Sequence, residues 1–384
     1  MKAFDAIVLG LGGMGSAALY HLAARGLNVL GLEQFDIAHD RGSSHGVTRL
    51  IRKAYFEHPD YVPLVTRSYE RWRELEAESN QTLLTRTGLL MFGPPDGDVI
   101  RGVRRAATEH NLSFEEPSLA QAASRWPGFV PDPAMVALYE PDAGTLAVER
   151  CVRVHVALAA ARGATVRFHE PVVSWEAGRD SVVASTNQGR YVGGRLMICG
   201  GSWSGRILKE LRLPLRVLRK VVFWYEVTGD WHRQDRGCPV FCFDALNAFY
   251  YGFPVIDAEG LKLADHHGGE PVDDPDHLDR GWHESDQRGA DEFVRSHLRG
   301  VGRVRKHAVC MYTMTPDQHF IIDQVPDQPN VIFAAGFSGH GFKFAPMIGS
   351  ILADLAIEGM TKEPIEFLRL SRPALRVPAP PPEP

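Results

Sequence analysis

Cysteine is scarce in this chain of 384 residues, and its distribution argues against a disulfide scaffold. The five cysteines, Cys151, Cys199, Cys238, Cys242 and Cys310, are sparse and odd in number. Cys238 and Cys242 have no Cys or His companions at zinc spacing, so reduced thiols in a strand region and no metal site are expected. Charge of one sign is also missing. The 42 basic and 47 acidic residues leave a net charge of -5 with no long run of either sign, and nothing in that pattern calls for nucleic acid or an anionic membrane surface. Residues 6–24 carry no formal charge, but the glycines between Gly10 and Gly15 would break a membrane helix or signal peptide, and Asp5 offsets Lys2 ahead of them. The expectation is a cytoplasmic enzyme of ordinary globular composition, long enough for two domains.

What is present begins with residues 6–33, AIVLGLGGMGSAALYHLAARGLNVLGLE. An apolar strand, a glycine turn, an Ala-rich helix over 16–25 and a second strand over 28–32 make a βαβ unit. Gly10, Gly12, Gly13, Met14 and Gly15 fit the G-x-G-x-x-G spacing, in which glycines allow a tight turn and close approach to a pyrophosphate at the positive end of the helix. Glu33 ends the second strand, where a carboxylate would accept the hydroxyls of an adenosine ribose. Strand, turn, helix, strand and acid fall in register, which favours a dinucleotide site over a turn that binds nothing.

Next comes RGSSHGVTRLIR, residues 41–52. Its small residues, hydroxyls and Arg49 and Arg52 suit a loop beside an anionic cofactor that then turns into a helix, with a solvated basic loop as the bland alternative. Here the chain resembles the monomeric sarcosine oxidase and N-methyltryptophan oxidase family, flavoenzymes of the D-amino-acid oxidase-like superfamily that oxidise secondary amino acids. AVCMYT (308–313) and AGFSGHGFKF (335–344) extend the resemblance over nearly the whole chain up to about residue 375.

The expected fold is mixed α/β, with a Rossmann-like FAD-binding domain (1–86, 145–214 and 308–375) interleaved with a sheet-rich substrate domain (87–144 and 215–307). An amphipathic helix over 64–80 and a further helix over 148–162 are predicted. Strands are expected over 87–93, 164–168, 171–173, 196–203, 215–227 and 248–264, with a hairpin over 180–192. A charged helical surface segment spans 273–303. Pro346 starts a helix after the last glycine turn, and the chain from Pro373 should be extended, with a disordered Pro-rich tail over 376–384.

The resemblance implies FAD bound covalently through Cys310, which from chemistry alone would be one buried thiol among five. It implies cofactor contacts from the βαβ glycines and Glu33, from Ser43, Ser44, His45, Thr48 and Arg49, from Val172, Gly200 and Trp203, and from Gly339, Gly341, Phe342 and Lys343. Arg52 and Lys343 match the family's carboxylate-binding pair, Tyr251 and Tyr312 its pocket tyrosines, and His340 a histidine above the flavin. Arg49 and His266 join the candidate catalytic set. Lys262, between Leu261 and Leu263, is either a lysine pointing to water or a buried cation; the family places it beside the flavin. Asp265 departs from the family pattern, adding a carboxylate near the site ahead of His266 and His267.

The activity implied is oxidation of sarcosine with dioxygen and water to glycine, formaldehyde and hydrogen peroxide, by a monomer whose partners are the amino acid and dioxygen. N-methyltryptophan and cyclic substrates such as pipecolate or proline are the bulkier alternatives. A NAD-dependent dehydrogenase, colourless and needing nicotinamide, and a yellow flavin-binding subunit that makes no peroxide remain the competing readings.

Overall fold

The computed structural model describes residues 3–245 and 248–376. The strand Ala3–Leu9, the helix Gly13–Ala24 and the strand Val29–Leu32 form the expected βαβ unit. Ala3–Leu9 lies at the centre of an eight-stranded sheet, pairing in parallel with Val29–Leu32 on one side and Arg190–Ile198 on the other. Gln328–Ala335 extends the parallel set beyond Arg190–Ile198, and Thr165–Arg167 extends it beyond Val29–Leu32. These central strands are apolar on both faces, because helices cover one side and further chain the other. The helix Gly13–Ala24 packs against Val148–Ala161 and Ala345–Glu358. Its mean composition is uniformly apolar, as a helix buried between two others requires.

A second eight-stranded sheet carries the remaining long strands. Arg216–Val227, Leu261–Asp265, Ala248–Phe253, Val240–Ala245 and Leu89–Gly93 follow one another across it. Val301–Met314 pairs antiparallel with Arg216–Val227, running through residue 308. An aromatic cluster that includes Phe92, Phe129, Phe241, Phe243 and Phe293 packs under this sheet.

Three local expectations are corrected. Residues after the glycine-serine loop do not turn into a helix: Thr48–Ile51 is a strand paired with Gly144–Ala147, because backbone partners outweigh local propensity, and the helix starts only at Tyr61. Only Glu284–His297 and a short turn at Pro275–His277 are helical in 273–303, since from Val301 the chain is claimed by the second sheet. Pro373–Arg376 forms a 3-10 turn rather than extended chain, following Arg372, which is held by Asp317 at 2.7 Å. The expected disorder of the tail falls, from residue 377 on, outside the described residues.

Two buried histidines set an acid limit on the fold. His21 and His155 are 8% and 1% exposed, and the Nε2 atom of each has no partner among the described residues. Burial brings His155 down to about 3 and holds His21 well below its ordinary value, so both are neutral when folded. Unfolding lets them take up protons once the pH falls below about 6.5. Their contribution is complete above that pH and decays as pH falls toward the folded values, by about 2 to 3 kcal/mol for His155 at pH near 4.5. The denaturation midpoint of His155→Phe should therefore fall less steeply from pH 7 to 4.5 than that of the wild type, and an equal slope would remove His155 as a cause.

Candidate active site

The first glycine turn opens where the parallel strands end, and its geometry requires glycine. Gly10 has φ +82°, and a Cβ there would sit 2.5 Å from the Cys199 carbonyl oxygen; a Cβ on Gly15 would sit 1.7 Å from the Gly10 oxygen. The first turn of the helix carries no acidic side chain, which leaves its positive end free for an anion. Glu33 is buried in the wall of the same cleft; Oε2 accepts from the Leu11 amide at 2.8 Å and Oε1 from the Phe35 amide at 3.0 Å. Two amides thus aim the carboxylate while each oxygen keeps a further lone pair for a hydroxyl. Gly12, Gly13 and Met14 line the cleft with Ser43 and Ser44, whose Oγ accepts from the Gly13 amide at 3.0 Å. Val172, Gly200 and Trp203 form one wall, and Gly339, Gly341 and Phe342 another. A long cleft with a glycine cradle, a helix end and an oriented carboxylate fits a dinucleotide such as FAD.

One thiol stands apart from the others. Cys310 Sγ lies 3.3 Å from His45 Nε2 and 3.7 Å from Arg49 Nη2. Burial works to raise its pKa, but His45, Arg49 and Lys262 outweigh burial and bring it to about 6. Burial pushes Cys199 and Cys242 up to about 12 and raises Cys151 and Cys238 as well. Only a thiolate is a competent sulfur nucleophile near neutrality, so the surroundings single out Cys310 as the nucleophilic thiol of the five. The sign gives a test on FAD-free protein: thiolate absorbance lost in Cys310→Ser should titrate in near about pH 6, and a midpoint in the ordinary thiol range near about 8.5 would contradict it.

Lys262 is the buried cation of the two alternatives, 3% exposed. It lines neither cavity, and its Nζ donates to the carbonyls of Gly46 (2.6 Å) and Thr48 (2.9 Å), with Thr48 Oγ1 at 3.3 Å. The Phe253 and Trp224 rings flank it at 4.8 and 5.5 Å.

A second cavity is walled by Arg49, Arg52, Glu57, Tyr251, His266, Tyr312, His340 and Lys343, with Leu50, Phe56, Met91, Phe249 and Phe253 on its apolar side. It shares Arg49, Tyr312, Gly339 and Phe342 with the dinucleotide cleft, so the two spaces meet. The Tyr312 hydroxyl lies 3.4 Å from both the Tyr251 hydroxyl and His266 Nδ1. Burial, with His340 and Lys220 behind it, brings His266 down to about 3 and leaves it neutral.

Residues 54–57 and 318 were not singled out from the sequence, yet they organise this pocket. Arg52 Nη2 reaches both oxygens of Glu57 at 2.7 Å, and Nη1 donates to the Ala54 carbonyl at 2.6 Å. Burial opposes ionisation of Glu57, but Arg52, His340 and Lys343 hold it down at about 2. The His340 Nε2–H donates to the Gln318 carbonyl at 3.0 Å, so Nδ1 accepts from the Tyr55 hydroxyl at 2.6 Å. Lys343 Nζ in turn donates to the Tyr55 oxygen at 3.2 Å and the His340 carbonyl at 2.8 Å. Burial and Arg52 bring Lys343 down to about 7. Two charged residues five positions apart in an irregular segment give no periodic signal, which is why Glu57 escapes a pattern reading. Asp265 is absent from the pocket wall; its carboxylate accepts from the amides of Phe249 and His267 instead, at 3.0 and 2.9 Å.

Comparison with known proteins agrees with this geometry. The family described as DAO, FAD dependent oxidoreductase, matches residues 5–355. The chain is 41% identical to a monomeric sarcosine oxidase of Bacillus sp. (strain B-0618), covering 97% of each chain. It is 42% identical to a monomeric sarcosine oxidase of Streptomyces avermitilis, over 94% of this chain and 96% of the other. Identity to an N-methyl-L-tryptophan oxidase of Salmonella arizonae is 36%, over 96% and 99%. The structure of NikD, an unusual amino acid oxidase essential for nikkomycin biosynthesis, shares the fold with a TM-score of 0.85 at 24% identity, over 96% and 98% of the two chains. Among the described residues no helix is long and apolar enough to cross a membrane. With its dinucleotide cleft opening into a cation-walled pocket, the chain belongs to the DAO family of FAD-dependent oxidoreductases, alongside the monomeric sarcosine oxidases and N-methyl-L-tryptophan oxidases.

Proposed function

We propose that this protein is an FAD-dependent oxidase of N-methyl amino acids, with sarcosine its substrate and Cys310 the point of covalent FAD attachment. The observation that carries the reading is the junction of the two cavities at Arg49, Tyr312, Gly339 and Phe342, which brings a cation-walled pocket up to a dinucleotide cleft. The names of the relatives supply the substrate. The same reading takes the protein as a cytoplasmic monomer with two interleaved domains, one around each large sheet.

Bound FAD supplies a two-electron sink that dioxygen empties, giving hydrogen peroxide. The chain's own residues bind and orient. Arg52 and Lys343 hold the substrate carboxylate, and Arg52 must first give up part of its pairing with Glu57. His340 is neutral, brought down to about 4 mainly by burial, and its Nδ1 is already occupied by Tyr55. It therefore shapes the pocket rather than taking a proton. The substrate amine must arrive deprotonated for the C–H bond beside nitrogen to break, and the neutral His266 and the hydroxyls of Tyr251 and Tyr312 can accommodate an uncharged amine without repulsion. The apolar wall of Leu50, Phe56, Met91, Phe249 and Phe253 excludes water there.

That wall favours a second reading, an N-methyltryptophan oxidase or an oxidase of pipecolate or proline, since sarcosine has no side chain to place against it. A peroxide assay over N-methyl and cyclic amino acids decides between them: sarcosine should give the highest kcat/KM. A larger substrate in first place would transfer the assignment, and no peroxide from any of them would end it. Acid-precipitated protein should stay yellow, with flavin on the peptide that contains Cys310; flavin released wholly into the supernatant would refute attachment.

A further inference from the structure

We propose that Arg280 is a positioning residue for cofactor attachment, holding the loop that carries His45 against the strand that carries Cys310. The inference rests on the reading of Cys310 as the attachment site. Arg280 Nη1 donates to the Asp40 carbonyl at 2.8 Å and the Val309 carbonyl at 3.4 Å, and Nη2 donates to the Arg41 carbonyl at 2.8 Å. Asp40 and Arg41 lie just ahead of Ser43, Ser44 and His45, and Val309 directly precedes Cys310. Among the described residues no carboxylate is within ion-pair distance of Arg280. Its guanidinium is committed to carbonyls of two chain segments that the sequence separates widely.

The mount of Arg280 is itself rigid. Arg219, 4% exposed, donates from Nε to the Asp279 carbonyl at 2.9 Å and from Nη2 to the Gly281 carbonyl at 2.6 Å, the groups on either side of Arg280. Asp286 anchors Arg219 at 2.7 and 3.0 Å. The His307 Nε2–H donates to the Arg280 carbonyl at 3.3 Å. The hydrogen bonds thus run from the strand Arg216–Val227 through residues 279–281 to the loop before His45 and back to the strand Val301–Met314. The planar fork presents donors from separate nitrogens in one fixed geometry, whereas a lysine offers a single ammonium on a flexible stem.

Attachment forms one S–C bond and breaks one methyl C–H bond. The thiol proton, released when the thiolate forms, the methyl proton and two electrons pass in sum to dioxygen, so that thiol, ring methyl and dioxygen give thioether and hydrogen peroxide. The step needs Cys310 as a thiolate, and that state depends on His45 staying 3.3 Å from the sulfur. A loop released at Asp40 and Arg41 lets the imidazole drift away.

The test uses the full chain produced without flavin, to which FAD is added while acid-insoluble flavin is followed in time. Arg280→Gln should attach FAD at least about tenfold more slowly and raise the thiolate midpoint of Cys310, and Arg280→Lys should fall between it and the wild type. A clip that only stabilises the fold would lower the melting temperature and leave both readouts in place. Attachment at the wild-type rate with an unmoved thiolate midpoint overturns the proposal. If flavin in the wild type is entirely acid-soluble, the attachment reading fails instead. The dissociation constant for FAD then decides on Arg280, a rise in Arg280→Gln supporting the loop restraint and an unchanged value overturning it.

Discussion

Lys262→Met is expected to slow reoxidation of the reduced enzyme by dioxygen about 10²- to 10³-fold while impairing anaerobic reduction by substrate far less. The first electron onto dioxygen makes an anion where none existed, and a fixed cation stabilises that state without stabilising neutral oxygen. Lys262 suits the task because, among the described residues, no carboxylate within ion-pair distance neutralises it, and two backbone carbonyls and a threonine hydroxyl fix its position. Between Phe253 and Trp224 its charge is poorly screened, and a contribution of roughly 3 to 4 kcal/mol is in the range of a preorganised electrostatic group. The pH dependence has a definite sign. Burial first, and then Arg49, hold the Lys262 pKa well below the ordinary lysine range, so the cation is present at low pH and lost as pH rises through that lowered value. Wild-type reoxidation should decline on the alkaline side and that of Lys262→Met should not. Stopped-flow absorbance separates the two half-reactions; reoxidation at the wild-type rate in Lys262→Met moves oxygen activation to another cation, Lys343 first, since His266 and His340 are neutral.

Arg52→Ala should weaken carboxylate substrates and inhibitors by about 2 to 5 kcal/mol, the usual cost of removing one partner from a buried charged contact. The structure adds that the variant also strands Glu57, whose carboxylate has both oxygens on Arg52 in the native pocket. Glu57→Gln is therefore the informative companion. It frees Arg52 from an internal competitor, so carboxylate inhibitors should bind more tightly, the opposite direction from Arg52→Ala. Secondary amines without a carboxylate should respond little to either change. Inhibitor dissociation constants from flavin absorbance titrations report this, and equal losses for both ligand types in Arg52→Ala would make Arg52 structural. Because Lys343 is brought down to about 7, the second cation of the proposed clamp is lost above that pH, and carboxylate binding should weaken on the alkaline side.

Much of the scaffold was legible in the chain. The βαβ unit, the helix over Val148–Ala161, the hairpin of Val182–Thr186 with Arg190–Ile198 and the last strand-turn-helix all follow local signals: apolar periodicity, turn residues and an early proline. Two of the misses share one cause. Thr48–Ile51 and Val301–Met314 are strands because distant partners supply their hydrogen bonds, Gly144–Ala147 for one and Arg216–Val227 for the other, and no window of neighbouring residues contains that information.

The site divides in the same way. By itself the sequence determined the glycine turn, since a Cβ at Gly15 collides with the Gly10 carbonyl five positions away and Gly10 itself takes φ +82°, and it placed Glu33 at the end of the second strand and a lysine between two leucines at position 262. Only the tertiary structure decided which thiol is acidic, because His45 and Cys310 meet across 265 positions of chain. It alone decided that Arg52 is shared with Glu57 and that Lys262 faces inward onto Gly46 and Thr48. The physical reason is that steric demands act within a few residues of their origin, whereas a pKa is set by desolvation and by every charge within reach, and both exist only once the chain has folded.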